Sequence, residues 1–244
     1  MPAFAVIGGA DAGVYYVRQL LRAAAAGKLA VDAIVVVDRD DRCAISRVPP
    51  DPRVTLAVAD WAEWLDAQLD TLPPGAHLVP YHWAPHLLRE WLERQVQRRG
   101  GGAVRGDPVA AQGVPWESEL KSGDRALSYA TWTCPPTCIE PALCPHTRGP
   151  KDWSLAGDLE RQRGGDALHE RIVFRALHLA YGVGTIPVAE ILAARDRIVG
   201  ELHSGPRQYL VATSSHCHAL AATLRVGGSV RDRVGKRRLC GRRT

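Results

Sequence analysis

Three cysteines and a histidine lie close together in residues 131–153, a segment we call the cysteine loop. Three residues separate Cys134 from Cys138, five separate Cys138 from Cys144, and His146 follows two residues after Cys144. Thiolates bind zinc and iron well, and the five prolines of the loop restrict its backbone, so closing it around a metal costs less entropy. The loop is therefore predicted to hold a metal or iron–sulfur centre.

Four interpretations of the cysteine loop remain open. Its three thiolates could hold an iron–sulfur cluster, with Cys217 or a histidine as fourth ligand or with one iron left open. They could form a closed zinc site with His146. Two of them could cycle through a disulfide, or all could be free thiols in a proline-stiffened loop. The spacing matches neither the ferredoxin pattern nor the paired C-x2-C of zinc knuckles.

A second group of reactive side chains, His216-Cys217-His218, directly follows a predicted strand at 208–213. Adjacent residues of an extended chain point to opposite faces, so either the two histidines or Cys217 alone can serve one site. Cys217 is a candidate metal ligand or a nucleophile beside a histidine base. All three are candidate catalytic residues, with incidental placement as the alternative. Arg148 and Lys151 could bind an anionic substrate or could end a solvated loop.

The elements that must position these groups alternate between strand and helix, which predicts an α/β fold. Strands are expected at 3–9, 31–40, 53–60, 77–80, 126–132 and 208–213, and helices at 11–26, 61–69, 84–97 and 188–202. The run at 31–40 is continuously β-branched, as in parallel strands that are buried on both faces. Residues 171–180 fit a buried strand or a helix, and residues 181–187 are predicted to form a turn.

The turn after the first strand reads Gly8-Gly9-Ala10-Asp11-Ala12-Gly13, and Asp38 ends the second strand. Over about the first 75 residues this resembles the Rossmann-type NAD(P)-binding superfamily, with alanine at the middle glycine of G-x-G-x-x-G. The resemblance implies that Gly8, Gly9, Ala10 and Gly13 cradle a pyrophosphate and that Asp38 binds ribose. The alternative is a glycine turn with no ligand.

These patterns together predict a Rossmann-like, mostly parallel sheet flanked by helices, with a long Cys- and Pro-rich metal-binding loop. Residues 1–100 would form the Rossmann-like unit, 107–228 a second α/β segment that could complete the same sheet, and 229–244 a disordered basic tail. Ligands bind beyond the carboxyl ends of parallel strands. The glycine turn, the cysteine loop and residues 216–218 would therefore meet at one edge if their strands are parallel.

Charge and hydropathy narrow the possible partners. Seven basic side chains and one acidic side chain lie in residues 231–244, whereas the other 230 residues hold 24 basic and 25 acidic ones. Nucleic-acid binding is therefore not expected except through the tail. No signal peptide and no apolar run long enough for a membrane helix is found, so we expect a cytoplasmic protein without a membrane partner. Its cysteines are then expected as ligands or free thiols.

The expected function is that of an oxidoreductase that combines NAD(P) with an iron–sulfur or zinc centre and acts on a small molecule or a redox partner. One alternative is a non-catalytic, zinc-stabilised α/β binding or regulatory protein. Another is a dinucleotide sensor. Hydrolase, nucleoside triphosphatase and zinc-protease functions lack support, since no nucleophile elbow, phosphate loop or HExxH motif occurs.

Overall fold

A computed structural model of the chain describes residues 3–81, 86–135, 138–161 and 169–227. The predicted tail at 229–244 lies outside these residues. Within them the protein is a mixed α/β structure with two sheets and five helices, which confirms the predicted α/β class. The helices are α1 (Asp11–Ala25), α2 (Trp61–Gln68), α3 (Leu87–Arg98), α4 (Leu155–Arg161) and α5 (Val188–Gly200).

Twelve strands are present in the described ranges, and most of the predicted ones are confirmed. In chain order they are β1 (Ala3–Ile7), β2 (Ala33–Asp38), β3 (Val54–Val58), β4 (His77–Val79), β5 (Gly102–Arg105), β6 (Trp116–Glu119), β7 (Arg125–Ser128), β8 (His169–Arg175), β9 (Leu177–Ala180), β10 (Val183–Pro187), β11 (Arg207–Ser214) and β12 (His218–Gly227).

The first sheet has the strand order β3-β2-β1-β4-β10-β9. Its first four strands are parallel, and β10 runs antiparallel to both β4 and β9. The apolar spacing of α1 buries Val14, Val17 and Leu20 against one face of this sheet. On α2, the Asp60 carboxylate caps the start of the helix by accepting from the amide of Ala62 at 2.8 Å.

The second sheet has the strand order β6-β7-β12-β11-β8, with β5 also paired to β12. Only β8 and β11 are parallel, and every other pairing in this sheet is antiparallel. The prediction of one mostly parallel sheet is therefore wrong, because both sheets are mixed. The long strand β12 returns directly after residues 215–217, so β11 and β12 form a hairpin that needs no crossover helix.

One hydrophobic core joins the two sheets. Helices α2, α3 and α5 lie between them, where Trp91 and Leu92 of α3 belong to the same buried cluster as Ile186 of β10 and Tyr209 of β11. Helix α4 covers the outer face of the second sheet through Leu155 and Leu159. No helix in the described part of the chain is long and apolar enough to cross a membrane.

Two other sequence predictions differ from the structure. Residues 181–187 are not a turn throughout, because the turn is confined to Tyr181 and Gly182 (φ 46° and 80°) and β10 begins at Val183. The predicted boundary between the units 1–100 and 107–228 contains β5, which pairs with the end of β12. In both places the strand is stabilised by a partner distant in sequence, and local composition does not reveal that partner.

Candidate functional site

Two strands of the second sheet bring the cysteine loop and residues 216–218 together. Strands β7 and β11 both run antiparallel to β12, so they point in the same direction and end at the same edge. The amide of Tyr129, just after β7, donates to the carbonyl of Cys217 at 2.9 Å. The predicted meeting of these two segments is therefore observed.

Three further bonds hold the two segments against each other. The indole N–H of Trp153 donates to Cys217 Sγ at 3.4 Å, and the amide of Leu155 donates to the carbonyl of His216 at 3.0 Å. The amide of His216 is shared between the two carboxylate oxygens of Glu140, at 2.9 and 3.0 Å. Glu140 has a φ of 52°, a costly conformation for a residue with a side chain, and these bonds offset that cost.

The four cysteines of the two segments are electrostatic neighbours. Burial raises the pKa of Cys134, and the nearby thiols of Cys138 and Cys144 raise it further. Burial also raises the pKa of Cys217, to which Cys134 adds a smaller contribution. The segments, which are far apart in sequence, thus place their sulfur atoms in one neighbourhood. A buried thiol with a raised pKa is a poor nucleophile, which weighs against a nucleophilic role for Cys217.

Backbone amides contact the sulfur atoms of the two other cysteines, and at Cys144 they lower the pKa of the thiol. The amide of Thr147 is the main cause that lowers the pKa of Cys144, and the amide of Glu140 donates to Cys138 Sγ at 3.4 Å. Residues 142–151 form a small hairpin around Cys144, in which the amide of Lys151 donates to the carbonyl of Ala142 at 2.9 Å. Amide donors around a sulfur stabilise the negative charge that a metal ligand carries.

Lys151 has the least expected environment in this region. Its Nζ atom is buried and has no hydrogen-bond partner among the described residues. Its positive charge counteracts the effect of burial on the pKa of Cys134 and Cys217 and contributes to the lowered pKa of Cys144. The charge of Lys151 therefore acts on thiols from both segments.

The histidines occupy different surroundings. His146 is exposed and stacks on Trp132, with ring centroids 4.5 Å apart and an interplanar angle of 9°. The hydroxyl of Ser128 donates to the carbonyl of Ala130, so its 3.0 Å contact with His218 Nδ1 requires that nitrogen to be the donor. In the neutral ring, Nε2 of His218 then carries a lone pair that takes no part in the bond to Ser128. His178 Nε2 lies 3.9 Å from the carboxylate of Glu140.

No preformed metal-binding group of three or more His, Cys, Asp or Glu side chains occurs in the part of the chain that the structure describes. The four thiols lie in the same region, but they are not arranged around a single position that a metal ion could occupy. Cys240 lies outside the described residues, and Cys43 is buried beside the glycine turn.

The glycine turn lies between β1 and α1 in the first sheet. Gly8 has a φ of 96°, and the amide of Gly9 donates to Asp38 Oδ2 at 2.6 Å. A Cβ atom on Gly13 would lie 2.0 Å from the carbonyl oxygen of Gly8, so the start of α1 crosses β1 closely. No side chain caps the helix at Ala10.

An open depression of about 340 Å³ adjoins this turn. Carboxylates and one guanidinium dominate its wall, which is formed by Ala10, Asp11, Asp38, Asp40, Cys43, Ala44 and Arg47. The other carboxylate oxygen of Asp38, Oδ1, accepts a hydrogen bond from the amide of Asp40 at 3.0 Å. On the other side of the turn, the ring of Trp61 packs near Gly8 and donates from Nε1 to the carbonyl of Val37 at 3.0 Å.

The glycine turn and the cysteine loop follow strands of different sheets, β1 and β7. Among the described residues, no hydrogen bond or ion pair joins residues 8–13 to residues 131–153. The expectation that all three segments meet at one edge of one sheet is therefore wrong for the glycine turn. Sequence reasoning also missed Glu140, Trp153 and His178, because each makes its contact with a residue distant in sequence.

One family model matches the chain. It is AF_1314_C, described as "Uncharacterized protein, C-terminal domain", and it matches residues 86–227, more than half of the chain. The chain belongs to this family. The matched region begins just before α3 and contains the cysteine loop, Lys151 and residues 216–218, but it does not include the glycine turn. No curated protein sequence and no solved structure matches the chain.

Proposed function

We propose that this protein is a metal–thiolate protein in which Cys134, Cys138, Cys144 and Cys217 bind an iron–sulfur cluster or a zinc ion. The observation that carries the proposal is the position of Cys217, in the turn between β11 and β12, close enough to Cys134 of the loop for the two thiols to act on each other electrostatically. Four thiols are a complete ligand set for either centre. His146 is the less suitable fourth ligand, because its ring is stacked on Trp132.

The donor set fits such a centre chemically. Metal ligation needs thiolates, and the amide donors at Cys144 favour that form by lowering the pKa of its thiol. Metal binding and folding are commonly coupled, so ligation would include rotation of the cysteine side chains and closing of the loop. Glu140 and Trp153 would keep the two segments aligned during this change, since each bonds to the 216–218 segment.

The choice of metal decides the activity. An iron–sulfur centre would supply electron transfer, and the protein would then be an oxidoreductase that acts on a small molecule or a redox partner. Zinc bound by four thiolates would instead stabilise the second sheet and leave a binding or regulatory role.

Metal analysis of protein purified without oxygen tests this proposal. We expect roughly one centre per chain, as for a closed four-thiolate site, and its loss in Cys134→Ala/Cys138→Ala. The matched control is Cys43→Ala, which removes a cysteine packed against Gly9 in the other sheet. Iron with broad visible absorption would indicate the redox protein, and colourless zinc-loaded protein the structural one. Absence of metal from correctly folded wild-type protein would overturn the proposal.

Dinucleotide binding at the glycine turn is the second candidate function. The parallel order β3-β2-β1-β4 supports it, because it matches the first four strands of the order 3-2-1-4-5-6 of the Rossmann fold that the turn resembles. In that fold the pyrophosphate lies at the uncapped start of the first helix, and the acid that ends the second strand binds ribose. Here Asp38 ends β2 and lines the depression beside the turn.

Titration of the full chain with NAD and NADP tests this second function. We expect Asp38→Ala to weaken binding by roughly 10- to 100-fold, since a hydrogen bond to a charged group contributes about 1.5–3 kcal/mol. Asp41→Ala is the control, because the Asp41 side chain is 72% exposed. Equal affinity of the wild type and Asp38→Ala, or no binding by the wild type, would contradict dinucleotide binding at this turn.

A further inference from the structure

The first turn of α3 is capped by a buried histidine. His86 directly precedes the helix, and its ring nitrogen Nδ1 accepts a hydrogen bond from the amide of Arg89 at 3.1 Å. The whole residue is only 2% exposed. A ring nitrogen that accepts from an amide carries no proton, so the imidazole is neutral in this arrangement. The cap of α3 therefore depends on the protonation state of one side chain.

The second ring nitrogen of His86 gains nothing from its surroundings. Nε2 is buried and has no hydrogen-bond partner among the described residues. Because Nδ1 is the acceptor, Nε2 carries the proton of the neutral ring and is an unsatisfied donor. A further proton could bind only at Nδ1. It would remove the acceptor that caps the helix and would place a positive charge in the interior, away from water.

The nearest opposite charge is already engaged. The described charged groups that act on His86 are Arg89 of α3, Arg105 of β5 and Asp124, which precedes β7. Asp124 is fully buried, and its carboxylate accepts from the guanidinium of Arg105 and, at 2.8 Å, from the hydroxyl of Ser122. A protonated His86 would therefore add a third positive charge beside a single carboxylate.

The titration of His86 follows from this environment. Burial lowers the pKa of His86 to about 4, although Asp124 acts in the opposite direction. Arg89 adds to the lowering, and its side chain, which is 4% exposed, is held by ion pairs with Glu90 and Glu93 of the same helix. An unfolded chain has a histidine pKa of about 6.5. The neutral cap thus contributes its full stability above about pH 6.5 and loses it as the pH falls towards 4.

Helix α3 packs in the core that joins the two sheets. Leu88 in its first turn, and Trp91 and Leu92 in the next, belong to the buried cluster that the sheets share. We infer that His86 is an acid-sensitive cap, whose protonation releases the first turn of α3 from this core. The inference depends neither on a metal at the cysteine loop nor on a ligand at the glycine turn.

Amide hydrogen exchange of the full chain, corrected for the intrinsic effect of pH, tests this inference. Between about pH 6.5 and about pH 4.5, protection at residues 89–92 should fall roughly 100-fold in the wild type, since each pH unit corresponds to a factor of ten. His86→Asn retains a neutral acceptor suited to the cap position, so its protection should change by less than about threefold. His203→Asn, at an exposed histidine after α5, is the control and should behave as the wild type.

An NMR titration of the His86 ring in the wild type supplies a measurement that needs no variant. The ring should titrate below about pH 5, as a buried histidine does. Titration near about pH 6.5, the value of an exposed histidine, would overturn the inference. Equal loss of protection in the wild type and in His86→Asn would also overturn it. So would simultaneous loss of protection throughout both sheets, because protonation would then unfold the protein as a whole and not release one turn.

Discussion

Cys217→Ser is expected to lower cobalt or zinc affinity at least roughly 100-fold, whereas His146→Ala should leave it within about threefold. Structural zinc binding contributes about 10–16 kcal/mol, so each of four ligands carries about 3 kcal/mol, which corresponds to roughly 100-fold in affinity. Cys217 lies near Cys134 of the loop, which contributes to the raised pKa of its thiol. His146 is exposed and stacked on Trp132.

Serine suits this test because its hydroxyl oxygen can accept the hydrogen bond that the indole N–H of Trp153 donates to Cys217 Sγ in the native protein. Equal thermal midpoints of the metal-free proteins would show that the fold is unchanged. The reverse result, with strong metal loss in His146→Ala and little in Cys217→Ser, would replace the four-cysteine site by a Cys3His site within the loop.

Gly13→Ala is expected to destabilise the protein by about 3 kcal/mol, the upper end of the range for overpacked sites. The added Cβ would lie 2.0 Å from the carbonyl oxygen and 3.0 Å from the carbonyl carbon of Gly8. Both are backbone atoms of the turn, so no side chain can move aside, and α1 must shift away from β1. For a chain of this size the change corresponds to roughly 6–12 °C in the midpoint of thermal unfolding.

The control is Gly200→Ala at the end of α5, where an added Cβ would meet nothing within 4 Å. It should alter the free energy of unfolding by less than about 0.5 kcal/mol. Nearly equal midpoints for Gly13→Ala and the wild type would mean that the close crossing of α1 and β1 is not required. The glycine turn would then lose its structural basis as a phosphate-binding site.

The local sequence pattern is sufficient to predict the positions of most helices and strands. The β-branched run of β2 and the helical spacing of Val14, Val17 and Leu20 are properties of adjacent residues, so they identify an element before its neighbours are known. The same holds for the strand–glycine turn–helix order at Gly8 and for the thiol content of the cysteine loop. These features predicted an α/β fold and the type of chemistry available.

Pairing between distant segments was not predictable in this way. Strand β12 is rich in small residues and has no strong alternation, yet it is the strand to which β5, β7 and β11 all pair. The sequence predicts a turn where β10 lies, because Gly182 and Gly184 are locally turn-forming. Tertiary contacts with β4 and β9 outweigh that preference, since strand formation depends on its partners.

The sequence by itself determined which chemical groups are available. These are four thiols, the backbone of a glycine turn, and a carboxylate at the end of β2. Only the tertiary structure decided that Cys217 lies near Cys134, that His146 stacks on Trp132, and that the Nζ atom of Lys151 is buried with no hydrogen-bond partner among the described residues. It also assigned the glycine turn and the cysteine loop to separate sheets. Spacing along the chain constrains only neighbouring residues, whereas these placements depend on strand direction and on the burial of charge.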